Sequence, residues 1–367
     1  MIKIGIRHNL LYPIMSVIFT FLRKADNIAM SKINFKGSLS LTLIMFLSEI
    51  ISGLIFFYYR KTFTSQHKME NQQILGIKLI QRKSEYKVKS SKQCVVFLLI
   101  FIVSLIDIFE YLIDTYFFPK FKNVSGSLYD RLRSILTVFS GFFSFLVLKI
   151  PIYRHQKFSL IIILIGLLII IITEFIYESK EGDFYLAFFI TILNYFADSF
   201  FDITEKYVLE TYSLDPFQVL FFEGIFGLLL TCIYICTDFM GYINDIFHKE
   251  SDTDTFLLII YLILYFVLCG GRNIYRILTN KIYFPITRSF TDSIFDPVLV
   301  MIYFYVDQDF RDNNGNESYP YFLTNLIISI IYVFFGAVYN EVFVLYCCKL
   351  EYDTHYGISE RASIIDN

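Results

Sequence analysis

Successive apolar runs, each long enough to cross a bilayer as a helix, constrain this chain more than any other feature. A hydrocarbon core of ~30 Å takes about 20 residues at 1.5 Å per residue. Ten such runs follow one another, at roughly 8–24, 38–59, 94–114, 128–150, 157–177, 184–205, 217–238, 255–277, 281–305 and 321–348. They are solid blocks rather than amphipathic stripes, and with a mean hydropathy of +0.55 the expected fold is an all-α membrane protein of ten transmembrane helices. The first run is the shortest; it carries Pro13 and is bounded by Arg7 and Arg23, the form of a short span or a signal anchor. No small-residue cleavage site follows it, so it is counted as a span.

Loop charges give an orientation. Residues 60–92 hold nine Lys or Arg (Arg60, Lys61, Lys68, Lys78, Arg82, Lys83, Lys87, Lys89, Lys92) against Glu70 and Glu85. The positive-inside rule makes that loop cytosolic, with contact to anionic lipid as the alternative use of its charge. The connection from Lys149 to Lys157 agrees. On the other side, 238–254 carries Asp238, Asp245, Glu250, Asp252 and Asp254 against Lys249, and 306–318 carries Asp307, Asp309, Asp312 and Glu317 against Arg311. Both termini are then expected in the cytosol. The two Asn-X-Ser/Thr acceptors, Asn123 and Asn316, fall on the opposite side, where glycosylation takes place.

Two halves of the chain look alike. The second run contains Glu49 with Gly53 four residues on, and the seventh contains Glu223 with Gly227. The fourth and ninth runs each begin with an arginine, Arg133 and Arg288. The longer separation of carboxylate from arginine in the first half is largely absorbed by the basic loop. Five spans per unit is an odd number, so two such units insert with opposite orientation, the inverted-repeat plan of secondary transporters. The expected division is residues 1–177 for the first five-helix repeat, including the loop 60–92, 178–348 for the second, and 349–367 for a cytosolic tail.

Charge within these runs is costly, roughly 2.5–3.5 kcal/mol for an arginine at the bilayer centre on insertion scales, and marks candidate site residues. Arg288, Asp292 and Asp296 recur at i, i+4 and i+8, on one helix face. Either Arg288 pairs with Asp292 along its own helix, or Arg288 and Arg133 present forked donors to a phosphate or carboxylate. Asp107 and Glu110 share one face of the third run, and Asp198 and Asp202 one face of the sixth. These are partners for the arginines, a proton or cation relay, or a site for a cationic solute. Glu49 and Glu223 lie beside glycines that permit close helix approach, which favours structural hydrogen bonding there. Asn273 and Lys281 are candidates for the cytosolic end of a cavity, with snorkelling the alternative for Lys281.

Several segments together resemble the drug/metabolite transporter superfamily, and within it the nucleotide-sugar-transporter-like solute carrier 35 family, nearest its F-type members. Ser127-Leu128-Tyr129-Asp130-Arg131-Leu132-Arg133-Ser134, followed by Thr137 to Ser144, is similar to that family's fourth helix. Lys24-Ala25-Asp26-Asn27 resembles the end of its first helix and Asp107 the Asp of its third. Glu205-Lys206-Tyr207 and Asp215-Pro216 through Gly227 resemble its sixth and seventh, and Thr287-Arg288 with Asp292-Ser293 its ninth. The resemblance implies ten spans, alternating access and a phosphorylated organic substrate. Two departures bear on the cavity lining: family members carry arginine where Phe295 stands, and small or hydroxyl residues near Glu110 and Arg131.

Other chemistries find no support in the sequence. No phosphate-binding glycine loop follows a strand, and His8, His67, His155, His248 and His355 have no metal-ligand spacing. The cysteines Cys94, Cys232, Cys236, Cys269, Cys347 and Cys348 lie in or beside apolar segments without a zinc pattern. No enzyme, metal or cofactor is therefore expected, and a net charge of −2 leaves no footprint for nucleic acid. In the tail, Glu360-Arg361-Ala362-Ser363-Ile364-Ile365 is similar to acidic dileucine-type signals read by sorting adaptors. With the family resemblance, it favours an endomembrane (Golgi, endosome or lysosome) over the plasma membrane. The expected function is a secondary-active transporter of a small organic solute, a nucleotide sugar or other phosphorylated metabolite; a homodimer is compatible with the chain. The alternatives are a transport-inactive scaffold or receptor and a proton-coupled transporter of a cationic solute.

Overall fold

The structure is a computed structural model. It describes residues 2–4, 11–32, 40–54, 93–113, 132–150, 152–177, 184–212, 214–237, 255–298, 300–301, 318–346, 349–354 and 357. The basic loop 60–92, both glycosylation acceptors Asn123 and Asn316, and the tail motif 360–365 lie outside the described residues.

The described chain is helical: α1 Leu11–Lys32, α2 Ser40–Leu54, α3 Gln93–Leu112, α4 Ser134–Leu146, α5 Arg154–Tyr177, α6 Phe184–Thr211, α7 Pro216–Thr237, α8 Thr255–Ile282, α9 Pro285–Asp292 and α10 Ser318–Tyr339. Five of these, α5 to α8 and α10, are long and apolar enough to cross a membrane. Large aliphatic side chains stand exposed along them, among them Ile161, Leu164, Ile165, Leu168 and Ile172 on α5 and Ile259, Ile260, Ile263 and Val267 on α8. Contiguous apolar surface on this scale needs a non-aqueous neighbour, and the protein fits an integral, multi-pass membrane protein.

Several boundaries differ from the sequence expectation: the first helix runs on to Lys32 and the sixth to Thr211, and three others have a local cause. The eighth helix runs on to Ile282, and the ninth starts at Pro285 rather than at 281. Pro285 occupies the first turn after an extended Phe284 (ψ 154), where its missing N–H costs nothing. The ninth run is also interrupted, by a turn at 293–295 before helix resumes at Asp296. Pro297 accounts for that break, because its ring clashes with the carbonyl one turn earlier. Finally, the tenth helix stops at Tyr339 instead of 348. Glu341 adopts a left-handed φ of 59, Val342 N–H bonds Ala337 O at 2.9 Å and Glu341 N–H bonds Val338 O at 3.1 Å, the paired bonds of a Schellman stop. The chain then enters β2, Phe343–Leu345, which pairs antiparallel with β1, Ile2–Ile4, in the register Ile2↔Leu345 and Ile4↔Phe343.

The chain packs as two compact units. The first comprises Met1–Ile18, Phe109–Ile203 and Ile282–Asn367, the second Phe19–Ile108 and Thr204–Lys281. In the first, α4, α5, the early turns of α6 and α10 share a core of Leu132, Ile135, Leu136, Leu167, Ile170, Phe184, Tyr195 and Ile328. One end of this unit gathers β1, β2 and the start of α5, where His155 lies 3.6 Å from Glu341 and Arg154 3.9 Å from Asp353. In the second unit, Val96, Ile100, Val208, Leu209, Val219, Leu220 and Ile277 form the core.

Within the second unit α2 and α7 cross antiparallel at glycines. A Cβ on Gly53 would lie 2.7 Å from Phe221 Cβ, and one on Gly224 would lie 2.9 Å from Ile50 N and 3.0 Å from Glu49 Cβ; Gly227 faces the Phe46 ring. The absent side chains let the two backbones touch, which is how small residues bring membrane helices together. In Gly224→Ala the added methyl meets backbone rather than a movable side-chain tip, so we expect a cost of about 1–3 kcal/mol. Gly141→Ala, whose nearest neighbour is Leu160 Cδ1 at 3.4 Å, should be near neutral. Unfolding midpoints of the two variants in one detergent check the difference, and equal midpoints contradict it.

Candidate functional site

Each unit buries arginines together with carboxylates of neighbouring helices. In the first unit they lie on or beside α4, α6 and α9. Arg288, 1% exposed, lies on the second turn of α9; its guanidinium contacts Asp202 and stands 3.5 Å from Asp198 Oδ1. Asp198 and Asp202 are one turn apart on α6, so they present both carboxylates to one arginine. The ring of Phe201 lies 5.7 Å from the guanidinium carbon, within range of a cation–π contact. Arg133, immediately before α4, donates from Nη1 to Asp296 Oδ1 at 3.4 Å.

Hydroxyl groups tie the same three helices together. Ser140 Oγ of α4 bonds Ser199 Oγ of α6 at 3.1 Å and Ser289 Oγ of α9 at 2.8 Å, and Thr137 meets the Tyr332 hydroxyl of α10. Such bonds satisfy polar groups where no water is available. Arg288, Asp198 and Asp202, expected from the sequence, therefore come together in one cluster, and Arg133 pairs with Asp296 in the same unit. The structure pairs Arg288 with the two aspartates of α6. Asp292 closes α9, and its side chain is outside those described. Glu110 is partly buried on α3.

The second network centres on Arg276, 3% exposed on α8. Its Nη2 lies 3.5 Å from Glu205 Oε1 of α6 and 3.6 Å from Glu223 Oε2 of α7. Asn280 Nδ2 donates to Glu205 Oε2 at 2.5 Å and Asn273 Nδ2 donates to Glu49 Oε1 at 2.7 Å. Asp107, 5% exposed on α3, is within electrostatic reach of Glu49, Glu205 and Glu223. Asn273, Glu49, Glu223 and Asp107 thus belong to one site, as candidates that the sequence singled out separately. Lys281 is exposed and reaches Leu214 O at 3.4 Å. The buried lysine is instead Lys206, which donates to the Lys281 carbonyl at 2.8 Å and pairs with Glu210 at 3.0 Å.

Sequence reasoning missed Arg276 as the hub. Its signal is the polar stripe Asn273, Arg276 and Asn280, at i, i+3 and i+7 on one face of an otherwise apolar helix. Glu205 appeared only as part of a family motif, without a partner.

The two networks differ in charge balance. Arg133 and Arg288 face Asp198, Asp202 and Asp296, whereas Arg276 directly engages two carboxylates with two more nearby. Removing one member of a buried pair leaves an uncompensated charge, at about 3–5 kcal/mol. Arg276→Met should therefore lower the unfolding midpoint sharply. Adding Glu205→Gln and Glu223→Gln to it should recover much of the loss; a triple variant no more stable than the single one contradicts this account of the hub.

Comparison of the sequence with protein-family models and with curated proteins finds no match.

Proposed function

We propose that this protein is a secondary-active carrier that moves a small anionic organic solute, a nucleotide sugar or other phosphorylated metabolite, across an endomembrane by alternating access. The observation that carries this reading is Arg288, almost wholly buried yet held by two aspartates of another helix. A membrane protein needs only one carboxylate to neutralise one arginine. Spare carboxylates around a forked donor allow the guanidinium to exchange an internal acid for a ligand's phosphate without passing through an unpaired state.

Ten spans in two inverted five-helix repeats suit the packing. Ile50 and Gly224, each one residue after the carboxylate of its Glu-x-x-x-Gly motif, meet where α2 and α7 cross antiparallel. In α4 and α9, the helices of Arg133 and Arg288, the contacts Arg133–Asp296 and Ser140–Ser289 also run antiparallel. Equivalent elements of an inverted repeat are related in this way. The interruption of the ninth run after Asp292 resembles the broken helices that line transporter sites. Pairing of β1 with β2 supports two cytosolic termini, and the tail motif supports an endomembrane address.

The acid surplus around Arg276 favours a second reading, carriage of a cationic solute. One experiment separates the two. The purified protein is screened by thermal shift against nucleotide sugars, nucleotides, sugar phosphates, amino acids and organic cations; a ligand at a hundredfold its Kd adds about 2.7 kcal/mol. Arg133→Gln and the charge-balanced Arg288→Gln/Asp202→Asn variant are run alongside. We expect phosphorylated hits that both variants lose. Hits confined to cations and unchanged in the variants favour the second reading, and an empty panel overturns the carrier. For the topology, we expect glycosidase treatment to increase the mobility of the wild-type protein and to leave Asn123→Gln/Asn316→Gln unchanged; an unmodified wild type contradicts the expected sidedness.

A further inference from the structure

Glu49 and Asn273 form a pair that an ionised carboxylate leaves incomplete. Both residues are 1% exposed, and the Asn273 amide nitrogen donates to Glu49 Oε1 at 2.7 Å. The two remaining polar oxygens of the pair, Glu49 Oε2 and Asn273 Oδ1, are buried without a hydrogen-bond partner. With Glu49 ionised, both are acceptors and neither can satisfy the other. Buried acceptors of this kind are rare because each forgoes its bond to water. A proton on Oε2 turns Glu49 into a donor and removes one of the two unsatisfied acceptors.

We propose that Glu49, seated against Asn273, is a proton-binding site of this protein. Other acids crowd the pair. Asp107 of α3, Glu205 of α6 and Glu223 of α7 face the group, and the neighbouring cations are Arg276 and Arg272 of α8. Arg276 is already engaged by Glu205 and Glu223. On α1, Arg23 lies beside Cys269, one turn before Asn273. Both oxygens of Glu223 also lack a hydrogen-bond donor, and the glycine crossing holds α7 against Glu49. Adjacent buried carboxylates that cannot all ionise share protons. Protonation adds one H⁺ to the Glu49 carboxylate and release restores it, with no other bond changed. Resting on the carrier function proposed above, the proton is the coupling ion, taken up from one compartment and released to the other as access alternates.

Infrared difference spectroscopy of the full chain in lipid, recorded across a pH titration, reads the site without a substrate. We expect a protonated-carboxyl carbonyl band that titrates in the wild type. It should vanish in Glu49→Gln, which keeps an amide in the place of the acid and so preserves the fold, and move in Asn273→Leu as the hydrogen-bonded carbonyl is freed. No titrating band, or a band lost in Glu223→Gln and retained in Glu49→Gln, overturns the assignment. Proteoliposomes then test coupling with a solute that scores in the thermal-shift panel. At one proton per solute, each pH unit of imposed gradient raises the accumulation ratio about tenfold, and Glu49→Gln abolishes the response. Accumulation that ignores the gradient in the wild type overturns the coupling role. Absence of any uptake refutes the carrier, and the infrared result alone then decides whether Glu49 binds a proton.

Discussion

A guanidinium enclosed by apolar helices is stable only when acids reach it from neighbouring helices, and both units of this protein are organised around that requirement. Arg288 fixes which face of α6 points inward, because Asp198 and Asp202 must both reach it. Arg276 does the same for Glu205 of α6 and Glu223 of α7. The desolvation cost of such groups is several kcal/mol each even after relaxation, so a helix rotated by one residue loses more than apolar packing could return. Apolar contacts between membrane helices specify orientation weakly, since lipid is as good a neighbour as leucine. Ion pairs and serine bridges supply the specificity that oil does not.

Close approach has to accompany that pairing. Glu49 and Glu223 have short reach, and the helices bearing them can meet only because glycine stands at 53, 224 and 227. The motif of a carboxylate followed by glycine four residues on thus has one physical meaning in both helices: the acid supplies polar chemistry and the glycine admits the partner backbone. The motif recurs on both sides of an antiparallel crossing, with Gly53 against the Phe221 backbone and Gly227 against the Phe46 ring. The hydroxyls of Ser140, Ser199 and Ser289 do comparable work near Arg288, where small polar side chains both narrow the gap and fill it with hydrogen bonds.

The sequence made the helical membrane character legible because apolar blocks of span length have few other solutions. It also brought out Arg133, Arg288, Asp198, Asp202, Glu49 and Glu223, since charge in such blocks is conspicuous. What it concealed was partnership. The contact of Arg288 with Asp202 spans a sequence separation that no periodicity reveals. Arg276 escaped notice because it lies near the end of its apolar run, where an arginine reads as an ordinary flank; only the asparagines at 273 and 280 mark the face as buried. Helix ends were hidden for a local reason. Phe343–Leu345 is apolar enough to continue α10, and the left-handed turn at Glu341 uses a residue type that carries no stop signal.

The composition of the two networks separates their chemistry. The carboxylates that meet Arg133 and Arg288 include the aspartates Asp198, Asp202 and Asp296, and the arginines sit on a helix of eight residues and at the lip of one of thirteen. Short aspartate side chains hold the guanidinium of Arg288 close to α6. Around Arg276 three of the carboxylates are glutamates, carried on helices of fifteen residues or more and set against two asparagine amides. An amide is indifferent to whether its carboxyl partner is charged: its N–H serves the anion and its oxygen serves the acid. Arginine has only donors and discriminates strongly for the anion. Asparagine at 273 and arginine at 276, three residues apart on one face, therefore give neighbouring acids of this unit different partners, an amide for Glu49 and a guanidinium for Glu205 and Glu223.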